Sequence, residues 1–269
     1  MSNKRKNIPV IGISKFDVKQ IHHSNPFTML VLAPKGCGKS QVIKKIMHSQ
    51  RHRFYYGLVC SQTEPINHFY EEFCPKLLLK DKFSQKYSTM LMERGKKLED
   101  TRVPKKFWQT LAIVDDCLTD FKTNDLPTQK LMSNGRHYKI SLILSSQYPN
   151  KVPTIWRENF DYVFIGGLRT KNAFDSAFNI VQSVFENINI FKRYIRKYTK
   201  GHSFLVVDTT VKHDENDNFS DTNSYDSVQD MMDNIKKRVF HFRGDINLVT
   251  KCFPDHLRTS KEKSRYNIR

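Results

Sequence analysis

Residues 33–40 read Ala-Pro-Lys-Gly-Cys-Gly-Lys-Ser and lie between the apolar run 27–32 and a helical pattern that starts at residue 39. A glycine-bearing loop between a strand and a helix turns its backbone N–H groups inward, and the helix N-terminus adds partial positive charge. Such a loop cradles phosphate. Pro34, Lys35, Gly36, Cys37 and Gly38 form its backbone, Lys39 brings an exposed ammonium to the β- and γ-phosphates, and Ser40 offers a hydroxyl to Mg²⁺. About seventy positions later, Leu111-Ala112-Ile113-Val114 leads into Asp115 and Asp116, the pattern of a buried strand ending in two carboxylates. Asp115 suits a Mg²⁺-holding role, and Asp116 suits the polarisation of an attacking water. Together the two motifs call for ATP and Mg²⁺. The loop departs from its pattern at one place: Ala33 stands where glycine eases the turn, so a negative φ is expected there.

Apolar runs alternate with amphipathic stretches, which predicts an α/β fold with a mostly parallel sheet covered by helices on both faces. Strands are expected near 27–33, 54–60, 110–115, 139–146, 161–166, 202–208 and 238–242. Helices are expected near 39–50, 66–73, 81–98, 126–135, 171–182 and 184–198. Nucleotide then binds at the carboxyl ends of the strands. The reading divides the chain into a lead-in at 1–26, one nucleotide-binding domain at 27–253 and a basic tail at 254–269. Residues 213–233 read as a flexible acidic insertion without apolar periodicity. The stripe through Phe174, Phe178, Val181, Phe185, Ile188, Ile195 and Tyr198 reads as core packing.

Charge narrows the partner. The net charge is +18, and setting aside the seven acids of 213–233, a segment without Lys or Arg, leaves +25 on the rest. A field of that sign attracts a polyanion, so nucleic acid is the expected partner. Five cysteines without a Cys-x-x-Cys pair read as free thiols in a reducing, intracellular setting. No run reaches eighteen apolar residues, so no membrane-spanning helix is expected. The pair His22-His23 lacks a third ligand at metal spacing.

Two further elements complete the set. Strand 139–146 ends at Gln147, whose amide can hydrogen-bond an attacking water or the γ-phosphate. Arg136 precedes that strand, and Arg157 precedes the run Tyr162-Val163-Phe164-Ile165. Either guanidinium is a candidate to act on phosphate in its own subunit or a neighbour's. In this order the motifs resemble the DNA-packaging ATPases of large DNA viruses, the poxvirus-type branch of the FtsK–HerA translocases. The resemblance spans about residues 27–210. It implies a RecA-like core, a homo-oligomeric ring with nucleotide at its interfaces, capsid proteins as further partners, and double-stranded DNA driven into a preformed capsid at assembly sites in the host cytoplasm. It matches Lys39 and Ser40 to the phosphate-binding pair, Asp115 to the Mg²⁺ aspartate and Gln147 to the glutamine after the next strand. Asp116 departs from the Glu of many relatives and is shorter by one methylene. Two other readings stay open: a P-loop helicase or nucleoside kinase, and a DNA-binding assembly protein that has lost turnover.

Overall fold

The computed structural model describes residues 10–21, 25–117, 120, 125–185, 187–211, 228–244, 252–254 and 257. His22, His23, most of the acidic insertion and nearly all of the basic tail lie outside the described residues.

Eight strands form one sheet: β1 (Thr28–Leu32), β2 (Tyr56–Ser61), β3 (Leu79–Lys80), β4 (Thr110–Asp115), β5 (Ile140–Ser146), β6 (Tyr162–Ile165), β7 (Ser203–Asp208) and β8 (Val239–Arg243). Their order is β3-β2-β4-β5-β1-β6-β7-β8. Strands β1 to β6 pair in parallel, and β7 is antiparallel to both β6 and β8. The sheet is thus mostly parallel, as the alternation of patterns predicts. Strands β1, β4, β5 and β6 are buried along their whole length, the outcome when both faces are covered.

The helices are α1 (Lys39–Ser49), α2 (Glu64–Asn67), α3 (Gln85–Glu99), α4 (Leu126–Asn134), α5 (Lys171–Val181), α6 (Ile188–Tyr198) and α7 (Val228–Arg238). One sheet face packs against α3 to α7 through residues such as Leu91, Leu131, Phe174, Phe191 and Met231. The other carries α1 (Val42, Ile43, Ile46) together with Phe16, Val18 and Ile21 of the lead-in. Phe16 meets Phe164 and Phe242 edge-on, so the described part of the lead-in shares the core of the sheet. The aromatic stripe is core, as expected: Phe174, Val181, Phe185 and Ile195 are buried.

Beyond the two-residue β3, which has no expected counterpart, and α3, which starts at Gln85 rather than 81, three elements differ from the expectations. The helix expected at 66–73 breaks at His68, whose φ of 51° ends α2, and resumes as a 3₁₀ turn over Tyr70–Glu72. The helix expected from 184 starts only at Ile188, where the Asn187 side chain accepts from the N–H groups of Asn189 and Ile190. The acidic segment is helical from Val228 onward, because Met231 and Ile235 bury one face of α7 against the sheet.

Candidate functional site

Strand β5 lies between β1 and β4 in the sheet, and this decides the geometry of the site. Ser145 is in register with Val31 of β1 on one side and with Asp115 of β4 on the other. The loop after β1 and the Asp-Asp end of β4 therefore open at the same edge, separated by one strand. Gln147 follows that strand directly.

The loop at 33–40 has the shape its sequence asks for. Gly36 and Gly38 take φ values of 79° and 91°, which residues with a side chain rarely adopt. A methyl group built on Gly36 would meet nothing within 4 Å, so the backbone there faces open space. Helix α1 starts from Gly38 without a side-chain cap, leaving its first N–H groups for an anion. The departure at Ala33 has a steric explanation. Ala33 is outside the left-handed region, and its buried methyl fills space left by Gly166 at the end of β6: a Cβ on Gly166 would lie 2.6 Å from that of Ala33. Gly166 thus leaves room for the Ala33 methyl.

Lys39 is buried (7% exposed), against the exposed ammonium expected from its sequence setting. Its Nζ lies 3.1 Å from the carbonyl oxygen of Ala33 and 3.3 Å from Oδ2 of Asp116. Gln147 Nε2 donates to the same Asp116 oxygen at 3.0 Å. Asp116 itself takes a φ of 53°, a left-handed conformation that Asp tolerates better than most residues, and its N–H points back to Ser145. This bend turns its carboxylate from the strand towards Lys39 and Gln147.

Asp115 is buried, with both oxygens satisfied. Oδ1 accepts from Ser145 Oγ; Oδ2 accepts from Ser40 Oγ at 3.2 Å and from Tyr70 Oη at 2.9 Å. Burial pushes its carboxyl above the usual carboxylate range; the Ser145 and Tyr70 hydrogen bonds oppose the shift, and Asp116 adds to it. Tyr70 is fully enclosed, and burial next to Asp115 raises its hydroxyl well above the ordinary tyrosine value. The Glu64 carboxylate fixes the turn that carries Tyr70, accepting from the N–H groups of Tyr70 (2.9 Å) and Glu71 (2.8 Å).

Tyr70, Ser145 and Glu64 were not legible as site residues. Tyr70 lies in an aromatic-rich stretch that reads as core, and nothing local ties it to a carboxylate 45 positions away. Ser145 lies within the strand expected at 139–146, and only the two-sided register reveals its role. On the outer side of the loop, the His202 ring lies 3.7 Å from where a Cβ on Gly38 would be.

The two arginines are placed elsewhere within the chain. Arg136 binds Asp161 at 2.7 Å and also donates to Thr28 Oγ1 and the carbonyl of Asn159. Thr28 opens β1 and Asp161 precedes β6, so this cluster sits at the amino edge of the sheet, opposite the phosphate loop. Action of Arg136 on a phosphate held by its own subunit is thereby ruled out. Arg157 donates Nε and Nη2 to the carbonyl of Val152, inside the crossover between β5 and β6. Neither has a contact with the loop.

The residues fit a nucleoside triphosphate with a divalent cation. The loop presents uncapped N–H groups and open space over Gly36. Ser40 and Asp115 converge as an oxygen pair, the hard donor set that Mg²⁺ prefers. Few protein ligands suffice there, since phosphate and water complete the octahedron. No group of three or more His, Cys, Asp or Glu that could hold a metal ion occurs among the described residues.

Sheet order, phosphate loop and carboxylate pair define a P-loop NTPase fold. The family model described as "Poxvirus A32 protein" matches residues 13–240, and the chain belongs to that family. Protein 075L of Invertebrate iridescent virus 6 is 29% identical over 185 residues, covering 68% of this chain and 71% of the relative. Protein L437 of Acanthamoeba polyphaga mimivirus is 26% identical over 196 residues, covering 70% and 69%. Among solved structures, the genome packaging NTPase B204 from Sulfolobus turreted icosahedral virus 2 in complex with ATPγS superposes with a TM-score of 0.51. It is 20% identical, with 68% of this chain and 92% of that one covered. At this identity the likeness bears on the fold, and the fold is shared. Among the described residues no helix is long and apolar enough to cross a membrane.

Proposed function

We propose that this protein is a Mg²⁺-dependent ATPase that drives double-stranded viral DNA into a preformed capsid, working as a homo-oligomeric ring at virion assembly sites. The observation that carries the enzymatic part is the convergence of Lys39 and Gln147 on one Asp116 oxygen, beside the Ser40–Asp115 pair. Family membership and the fold shared with a viral genome packaging NTPase support the biological part.

The chemistry follows from these contacts. Without nucleotide, the Lys39 ammonium neutralises Asp116. A γ-phosphate carries more charge and draws the ammonium over, freeing the Asp116 oxygen as a proton acceptor. Gln147 keeps that oxygen oriented and can hold the attacking water. In-line attack then forms the new P–O bond, the bond to the β-phosphate oxygen breaks, and the water proton passes to Asp116. Lys39 stabilises charge developing on the transferred group. Ser40 and Asp115 are the residues that would hold the divalent cation, which would supply charge neutralisation to the phosphates.

The deciding measurement is phosphate release with ATP and Mg²⁺, with and without duplex DNA. Wild type should turn over and be stimulated by DNA. Lys39→Ala should lose nucleotide binding and turnover; Asp116→Asn should bind nucleotide without hydrolysing it, because an amide accepts no proton. Stimulation by a nucleoside in place of DNA would make the protein a kinase. No turnover under any condition would leave only a DNA-binding assembly protein.

A further inference from the structure

At the far end of α1 from the phosphate loop, a cleft of about 550 Å³ opens between residues 15–19 and the second half of the helix. Its floor is apolar, built from Phe16, Val18 and Phe242, and its walls carry Lys15, Lys19, Lys45 and Arg51. Lys15, Lys19 and Arg51 are exposed. Asp17 is the one acidic residue among the described residues of the lining, and its carboxylate is engaged by the Lys19 backbone N–H at 2.9 Å. Lys45 is braced over the Phe242 ring and against the Arg243 carbonyl, so its ammonium is held at the cleft. Cations on concave, low-dielectric walls focus their field into the space between them.

We propose that this cleft holds the phosphodiester backbone of double-stranded DNA. The inference rests on the reading above for the identity of the polymer. Four separate cations favour a polymer over a single phosphate: Lys45 and Arg51, the latter two residues past the end of α1, line one side, and Lys15 and Lys19 the other. A duplex presents one phosphate per about 1.7 Å of its axis. Cations that meet phosphate carry no sequence information, so contact there is expected with the backbone and independent of sequence. The competing basic face on α6 includes Lys192, 3.8 Å from Asp175, and Lys197, which donates to the Val10 carbonyl; the test below separates the two faces.

The test is fluorescence anisotropy of a labelled random-sequence duplex with the full chain, titrated across salt. Lys19→Glu/Arg51→Glu alters two exposed side chains remote from the nucleotide site. It should weaken binding roughly tenfold or more and flatten the log–log salt dependence by about two. Basal ATPase should be unchanged and its stimulation by DNA lost. Wild-type affinity and slope in this variant would overturn the proposal. So would a loss of affinity confined to Arg196→Glu/Lys200→Glu, at the end of α6 and just beyond it. Cleft-dependent binding to anionic vesicles, with DNA binding untouched, would reassign the cleft to a membrane surface. Full displacement of DNA by stoichiometric tripolyphosphate would make it a small-anion site. A chain that binds DNA through the cleft but never hydrolyses ATP would sink the motor reading and leave this one standing.

Discussion

Replacing Tyr70 with Phe removes one hydroxyl and leaves the packing of an enclosed ring intact. That hydroxyl is one of two donors to Oδ2 of Asp115, at 2.9 Å, the other being Ser40 at 3.2 Å. A hydrogen bond to a charged partner contributes about 1.5–3 kcal/mol. For a chain of this size the loss corresponds to a Tm lower by about 3–12 °C. The functional effect should exceed what stability explains. Partners behind a metal ligand commonly change affinity for the ion by about 10–100-fold. The concentration of free Mg²⁺ needed for half-maximal ATPase should therefore rise by about that factor, while nucleotide binding in EDTA stays near wild type. The pH profile gives an independent check. Burial already raises the Asp115 carboxyl, and the Tyr70 hydrogen bond holds it down. Removing a donor to the charged form raises it further, so the acid limb of the ATPase profile should move to higher pH. A Tyr70→Phe protein with a lower Tm but wild-type Mg²⁺ and pH dependence would refute the reasoning and make Tyr70 a packing residue.

Gly166→Ala should cost about 1–3 kcal/mol through the 2.6 Å contact with the Ala33 methyl. Urea unfolding should show part of that returned in the Ala33→Gly/Gly166→Ala double variant; equal losses in single and double variants would remove the swap between the two positions. Arg136→Ala should lower stability by about 1 kcal/mol, the half-exposed guanidinium being screened by solvent, with kcat per folded subunit retained. A fall in kcat without a change in Tm would restore Arg136 as an arginine acting across a subunit interface.

The chain itself determined the chemistry of the site. Gly36, Gly38, Lys39, Ser40 and the pair Asp115-Asp116 were legible because backbone shape and charge at a phosphate site depend on residues adjacent in sequence. The α/β class was legible for the same kind of reason, since strand and helix periodicities are local. Tertiary structure decided what depends on strand order. The insertion of β5 between β1 and β4 puts Ser145 against Asp115 and Gln147 against Asp116. The 3₁₀ turn at Tyr70–Glu72 carries a buried hydroxyl to Asp115 from a segment that resembles ordinary core. Gly166 accounts for the alanine at position 33, a compensation between two strands that no local pattern encodes. The site of Arg136 was likewise beyond the sequence. A guanidinium before a strand can serve either edge of a sheet, and here the Asp161 carboxylate holds it at the amino edge, across the sheet from the phosphate loop.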